Sequence, residues 1–375
     1  MSVIGNTALQ LSEEQAMLLD VAREFCRDKS PMAAVREQLD TEAGYDPATW
    51  QEMCNLGWCG IALPESCGGS GLGVAALVPV LEAMGRAMLG TPLISTTLAG
   101  QLLLRAGNEE QCERLLPDIA AGAPATPALL DSSDWGSDNI ALQLDEQCVL
   151  QGAKKYVPDA SAASLFVVSV IHRGEPAMAV VRPQQLAEGA ICNNTLIDET
   201  RRSANIDFSG VQVAPEDVIT GPRVGVALRD VRLIGAMLLA AESTGSSAAC
   251  LDTIVEYLKT RKQFGKLIGS YQALKHPSVD LLVAIDSSRS FIYHAATLVG
   301  DEPLDKDAEI ACRMAKAQAD ETLSEAGDRA VQFHGGMGFT YECDAQLYIR
   351  RAQWVQQQFG DSRHHRKHLG NLLLG

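Results

Sequence analysis

Positive charge is scarce in this chain: 31 lysines and arginines stand against 47 aspartates and glutamates, a formal net charge of −16. Such a surface repels nucleic-acid phosphate and anionic lipid head groups, so neither is an expected partner. Paired cysteines are missing too. The 10 cysteines are scattered singly from Cys26 to Cys343, with no C-x-x-C pair and no His/Cys cluster at zinc-site spacing. They read as small buried hydrophobes in a reducing compartment, and no metal site is expected. The opening MSVIGNTALQLSEEQ lacks a basic stretch followed by an apolar run and a small-residue cleavage site, which gives the expectation of a cytoplasmic protein. One apolar run is long enough to span a bilayer, LIGAMLLAAESTGSSAACL from Leu233 to Leu251. Its four Ser/Thr residues and the charge of Glu242 favour a buried helix over a membrane span. No internal repeat and no low-complexity tract is present.

What is there is helical at both ends. A chain of 375 residues exceeds one ordinary core and suggests three units. The stretch LSEEQAMLLDVAREFCRDK reads as the first helix, with Ser12 as N-cap and Leu11, Met17, Leu18, Val21 and Phe25 at helical spacing. Further helical patterns cover 47–57, 74–88, 93–106 and 109–121, interrupted by the Pro/Gly-rich ALPESCGGSGLG. From Gly122 the pattern turns to short runs rich in β-formers, NIALQL, CVLQGAKKYV, SLFVVSV and AMAVVR, broken by Gly, Pro and Asp. After VAPEDVITGP long helical periodicity returns, over 224–258, 268–299 and 306–334, and a four-helix bundle follows once 342–358 is added. The expected domains are therefore 1–121, helical; 122–222, a β-barrel or sandwich; and 223–375, a helical bundle, an α+β multidomain class rather than a doubly wound sheet.

Two motifs stand out from this background. TRKQFGK, residues 260–266, gathers cations, an aromatic and a glycine at the end of a long helix. An arginine there can hold a phosphate through two parallel bonds, although alone the motif reads as a solvated basic helix end. VQFHGGMGFT follows about seventy residues later, where Gly335-Gly336 lets backbone approach a ligand closely or simply turns the chain between helices.

Taken together, Leu56-Gly57-Trp58 with Pro64-Glu65 and GGSGLG, then EYLKTRKQFGKLIGSYQALKH, then AVQFHGGMGFTYECDAQLYIRRA resemble the acyl-CoA dehydrogenase family in order and approximate spacing. The resemblance runs from about residue 11 to the C-terminus. It implies a helical domain, a β domain and a four-helix bundle assembled into dimers or tetramers, with FAD between the β domain and the bundle and its adenine end reaching a neighbouring subunit. By motif match, Arg261 and Phe264 contact the neighbour's FAD, Gln272 lies in the same dimer-facing segment, and Gln332, Gly335 and Gly336 meet the adenosine pyrophosphate region. Tyr156 in KKYVPDA takes the place of the flavin-stacking tryptophan. The implied reaction is α,β-dehydrogenation of an acyl-CoA thioester, with electrons passed to an electron-transfer flavoprotein.

The departures from the family pattern bear on the same chemistry. Pro158 replaces a threonine that in many members bonds the flavin N5 edge, and proline offers neither hydroxyl nor N–H. The T-E-P-x-x-G-S-D loop is reduced to LDSSDWGSD, which keeps only Gly136, Ser137 and Asp138. The base is the larger loss. Straight-chain members carry a glutamate in Y-E-G-T, where QQQFGDS here places Phe359, and branched-chain members carry one early in the first long C-terminal helix, where counting back from Arg261 gives Gly235. Two carboxylates remain as candidates. Glu242 lies two turns beyond Gly235 on the same helix face and among apolar residues, where burial favours a raised pKa, or else it caps a buried polar network. Asp361 lies two residues past the family position and also reads as a surface carboxylate paired with the cations of SRHHRKH. His364, His365, Arg366 and His368 read best as an exposed basic C-terminal turn. Against independent activity stands the alternative of a non-catalytic or half-catalytic subunit that completes the FAD site of a homologous partner; an oxygen-using oxidase is the third reading.

Overall fold

The computed structural model describes residues 13–375. The expected cap Ser12 and the core position Leu11 lie outside the described residues. Six helices come first: α1 (Glu13–Lys29), α2 (Met32–Glu37), α3 (Pro47–Asn55), α4 (Leu77–Arg86), α5 (Leu93–Ala106) and α6 (Glu109–Ala120). Local chemistry sets their starts. Asp46 accepts from the backbone N–H groups of Ala48 and Thr49 ahead of Pro47, and Asn108 forms a reciprocal capping box with Gln111. In α1 the buried stripe is Leu19, Ala22 and Cys26. Met17 and Val21 of the sequence reading face solvent instead, at 69% and 44% exposure, because the small Ala22 lets α4 close on that side.

The middle segment holds β1 (Ala125–Ala128), β2 (Gln143–Leu144), β3 (Leu150–Gln151), β4 (Ala153–Pro158), β5 (Leu165–His172), β6 (Glu175–Val181), β7 (Ile191–Asn193), β8 (Ser203–Asp207) and β9 (Val218–Ile219). Six of these make a mixed sheet ordered β3-β2-β5-β6-β9, with β1 parallel to β5, while β4, β8 and β7 make a separate antiparallel sheet. Of the two expected forms the sandwich holds and the barrel does not: neither sheet closes on itself among the described residues. The two-residue side-chain period explains how β5 serves both sides. Leu165 and Val167 join the core shared with the helices, whereas Phe166, Val168 and Val170 pack with Val157, Ala204 and Ile206 of the smaller sheet.

The last third contains α7 (Arg223–Thr260), a hairpin of β10 (Lys262–Gln263) and β11 (Lys266–Leu267), α8 (Gln272–Leu298), α9 (Lys306–His334), α10 (Ala345–Val355) and α11 (Ser362–Leu374). Helices α7 to α10 form the bundle, and α11 adds a further helix against α9 that the sequence reading took for an exposed basic turn. No helix among the described residues is long and apolar enough to cross a membrane; the apolar run of Leu233–Leu251 is the buried centre of α7. There α7 crosses α4 backbone to backbone. A Cβ on Gly85 would fall 1.9 Å from the Glu242 carbonyl oxygen, and one on Gly245 equally close to that of Glu82. Two glycines on facing helices permit this contact and fix the depth at which Glu242 sits.

Candidate functional site

Two groups of the residues singled out in the sequence are brought together, one inside the molecule and one on its surface. Inside, Gly235 of α7 and Phe359, in the turn between α10 and α11, meet directly: a Cβ at position 235 would lie 2.6 Å from ring carbons Cε2 and Cζ of Phe359. The two positions at which the resemblance places a base therefore converge on one spot. An aromatic ring fills it. Phe359 packs with Leu239, Trp354, Val355 and Ile94 and has a left-handed backbone, φ 59°. Tyr156 (φ 51°) and Phe264 (φ 53°) share that rare conformation, which costs a bulky residue free energy and persists where the surroundings impose it.

Tyr156 donates its backbone N–H to Asn205 Oδ1, and its ring lies 4.4 Å from that of Trp135 at 30°. One aromatic face is thus taken by the neighbouring loop. Pro158 ends β4 and its carbonyl accepts from Thr126 Oγ1 at 2.7 Å, a purely structural bond. Ser137 Oγ is used in its own loop, accepting from the backbone N–H of Asn139.

Glu242 lies deep in the structure, at 1% exposure. Its Oε1 accepts from Arg351 Nη1 at 2.6 Å and from Arg201 Nη2, and Arg351 also holds Asp198 and Thr200. Arg201 stacks over Trp354 at 5.3 Å, and burial, then the Arg351 cation, pull its guanidinium down to about 9. The cluster ties α7, α10 and the Asp198–Arg201 turn of the β segment together. Glu242 Oε2 is buried without a partner. Asp361, by contrast, is exposed and caps α11, accepting from His364 N at 2.7 Å.

On the surface, Tyr257 stacks on His334 with centroids 4.2 Å apart, and this contact sets the ends of α7 and α9 side by side. Beyond it Arg261 caps α7, Phe264 stands on the hairpin at 90% exposure, and Gln332, Gly335 and Gly336 close α9. Gly335 has φ 61° and open space where a Cβ would stand, while its own N–H bonds back to the Gln332 carbonyl. Gln272 opens α8 on the exposed face that carries Val279 and Val283, at 57% and 60% exposure, and Met337, Phe339 and Tyr341 extend the apolar surface beside the glycines. So large an exposed apolar area suits contact with another protein. No group of three metal-binding side chains exists among the described residues.

An implied FAD is matched unevenly by these residues. The exposed arginine, aromatic and open glycine turn suit an adenosine pyrophosphate presented from outside. The interior suits the reaction less well, because Trp135 takes one face of Tyr156 and Phe359 fills the base position. Sequence reading missed Arg201, Arg351 and Asp198, whose only signal was that isolated charges in apolar surroundings need partners. It also took His365 for an exposed residue. His365 is at 1% exposure, packed between α9 and the Phe359 turn.

The model "Acyl-CoA dehydrogenase, N-terminal domain" matches residues 12–123 and "Acyl-CoA dehydrogenase, C-terminal domain" matches residues 233–374. Acyl-CoA dehydrogenase IpdE2 of Mycolicibacterium smegmatis is 30% identical over 355 residues, which cover 94% of this chain and 96% of that protein. The caffeyl-CoA reductase-Etf complex subunit CarC of Acetobacterium woodii is 26% identical, covering 98% of this chain and 100% of its own length. A solved Tcur3481-Tcur3483 steroid ACAD variant superposes with a TM-score of 0.84 at 27% identity, over 96% of this chain and 98% of the other.

Proposed function

This chain belongs to the acyl-CoA dehydrogenase family of FAD-dependent oxidoreductases, and from that premise we propose that it is a half-catalytic subunit, completing the FAD site of a homologous partner that carries the base. The observation that carries this reading is the Phe359 ring against Gly235, which leaves no carboxylate at either family position. Desaturating a thioester requires removal of a weakly acidic α-proton, and phenylalanine cannot accept one. The surface half of the site supports the same reading. By the resemblance Arg261 and Phe264 serve a neighbour's FAD, Gln272 lies in the same dimer-facing segment, and Gln332, Gly335 and Gly336 meet the adenosine pyrophosphate; Arg261, Phe264 and the glycines are exposed. FAD, when bound, supplies the hydride acceptor; this chain holds its phosphates and covers its adenine end. The substrate of the assembly is an acyl-CoA, and its electrons leave to an electron-transfer flavoprotein. A relative named as part of a reductase-Etf complex and a neighbour titled with two proteins agree with such assemblies.

Purification of the chain alone and with its homologous partner tests the proposal. Alone it should be colourless and inactive; together they should carry flavin absorbance and dehydrogenate acyl-CoA. A yellow, active single chain would reject the half-catalytic role. One observation favours a second reading, in which this chain is itself the dehydrogenase: the unpartnered buried oxygen Oε2 of Glu242, a place for a proton. Glu242→Gln then abolishes turnover while flavin stays bound. Asp361 is the weaker base, since Oδ1 is engaged in capping.

A further inference from the structure

A cavity of about 280 Å³ opens between the Trp135–Ile140 loop, the first turns of α7 and the start of α11. By the volume share of liquid water this is room for roughly nine waters, or a small organic molecule. Its walls differ sharply. Trp135, Ile140, Leu228, Leu233 and Phe359 form an apolar side, while Arg232 and the histidines 364, 365 and 368 form a polar one. The chain has invested two buried donors here without using them. Arg232 donates Nη1 to the Leu228 carbonyl at 3.3 Å, but its Nη2 is buried with no partner. His365 is at 1% exposure, and neither ring nitrogen makes a well-formed hydrogen bond, the Gly360 backbone giving the ring only a weak contact. Leaving such groups unpaired in the interior is costly, because each has given up its hydration without a replacement. An incoming acceptor would remove that cost.

We propose that this cavity binds the carboxylate of a small amphipathic acid, the oxygens held by Arg232 and His365 and the hydrocarbon body laid against Trp135 and Phe359. The other charged groups of the lining set the sign. Arg313 is occupied by Glu309 and Arg229 by Asp230, so both keep their positive charge near the cavity but are partly neutralised. Asp138 is the one carboxylate of the lining; it is exposed, and its field acts on Arg232 from the rim. Burial first, then the Lys316 and Arg313 cations, keep His365 neutral at ordinary pH, so it offers one N–H while Arg232 supplies the charge. The carboxylate can arrive as a free acid or at the far end of an acyl group on coenzyme A. The inference stands apart from the half-catalytic reading, since an acid can bind here with neither flavin nor a partner subunit present.

Calorimetric titration of the full chain with hydrocinnamate and with hydrocinnamyl alcohol isolates the carboxylate. The acid should bind on the order of tenfold to a hundredfold more tightly, and Arg232→Gln should remove the difference. A parallel pair, adipoyl-CoA against hexanoyl-CoA, distinguishes the sources: preference for hydrocinnamate alone identifies free acids, preference for adipoyl-CoA alone identifies carboxyacyl thioesters, and either supports the site. Should Arg232→Gln fail to fold, the His365 ring resonances of the unmodified chain must move on adding the favoured acid. Equal binding of acid and alcohol together with equal binding of the two thioesters, no binding by any of the four, or still His365 resonances would overturn the proposal.

Discussion

The interior and the surface halves of the expected FAD site have gone separate ways. The surface half keeps its arginine, aromatic and paired glycines, all open to solvent, with Phe264 at 90% exposure. The interior half has a left-handed backbone at Tyr156 and Phe359 and no carboxylate at positions 235 and 359. A group that serves a neighbour must be exposed and therefore contributes little to its own fold, so only function holds it in place. A buried position must be filled whether or not it works. When the carboxylate there is gone, a ring that packs against Gly235 is a stable replacement, and the charge that remains, Glu242, is locked between two guanidiniums.

The largest expected effect tests whether the interior is structural. Glu242→Ala leaves Arg201 and Arg351 buried without their shared acceptor, and stability should fall by about 3–5 kcal/mol; a thermal melt indistinguishable from the unmodified chain would break the contrast. Next comes Phe359→Glu, which restores the family carboxylate at its own position. Burying it without a partner and losing the ring should cost about 2–4 kcal/mol, and no turnover should appear in the chain alone. Turnover on an acyl-CoA would mean that the interior lacked only its base. On the surface side, Arg261→Ala should lower flavin affinity of the assembly with its partner on the order of tenfold to a hundredfold, while the melting of the chain itself stays within about 0.5 kcal/mol. Unchanged flavin occupancy would remove Arg261 from the cofactor.

The smallest effect concerns pH. His365 is held far below its ordinary pKa by burial, with Lys316, Arg313 and His364 adding to the shift and the Gly360 backbone opposing it. In the unfolded chain it protonates near pH 6.5 as usual. Below that value the unfolded state binds one proton more than the native state, so this group destabilises the fold as pH falls, by about 1.4 kcal/mol per pH unit. The variant His365→Leu should flatten the acid limb of a stability curve by that slope between pH 6.5 and 5, as followed by urea unfolding. An unchanged slope would place the histidine in water.

Much of the architecture was legible because it rests on local signals. The pattern over 93–106 is α5, and that over 306–334 is α9, because periodicity, caps and Gly/Pro stops act within a few residues. The strands β1, β7 and β8 were not singled out: all are short, β1 pairs with the distant β5, and β7 and β8 meet across the irregular segment 194–202. The packing of α11 was missed because its histidines and arginines look solvated, and only contact with α9 turns His365 inward. Among the site residues, Arg261, Phe264 and the two glycines were found through motif and spacing, while Arg201 and Arg351 carried no pattern at all.

The sequence by itself determined the family, the α, β, α order of elements, and the absence of a carboxylate at positions 235 and 359, since each is written in residue identity and spacing. Only the tertiary structure decided that those two positions touch, that Glu242 answers to Arg201 and Arg351, and that His365 and Arg232 face one cavity. Their partners are supplied by segments tens to more than a hundred residues away, and no local pattern encodes which of them will arrive.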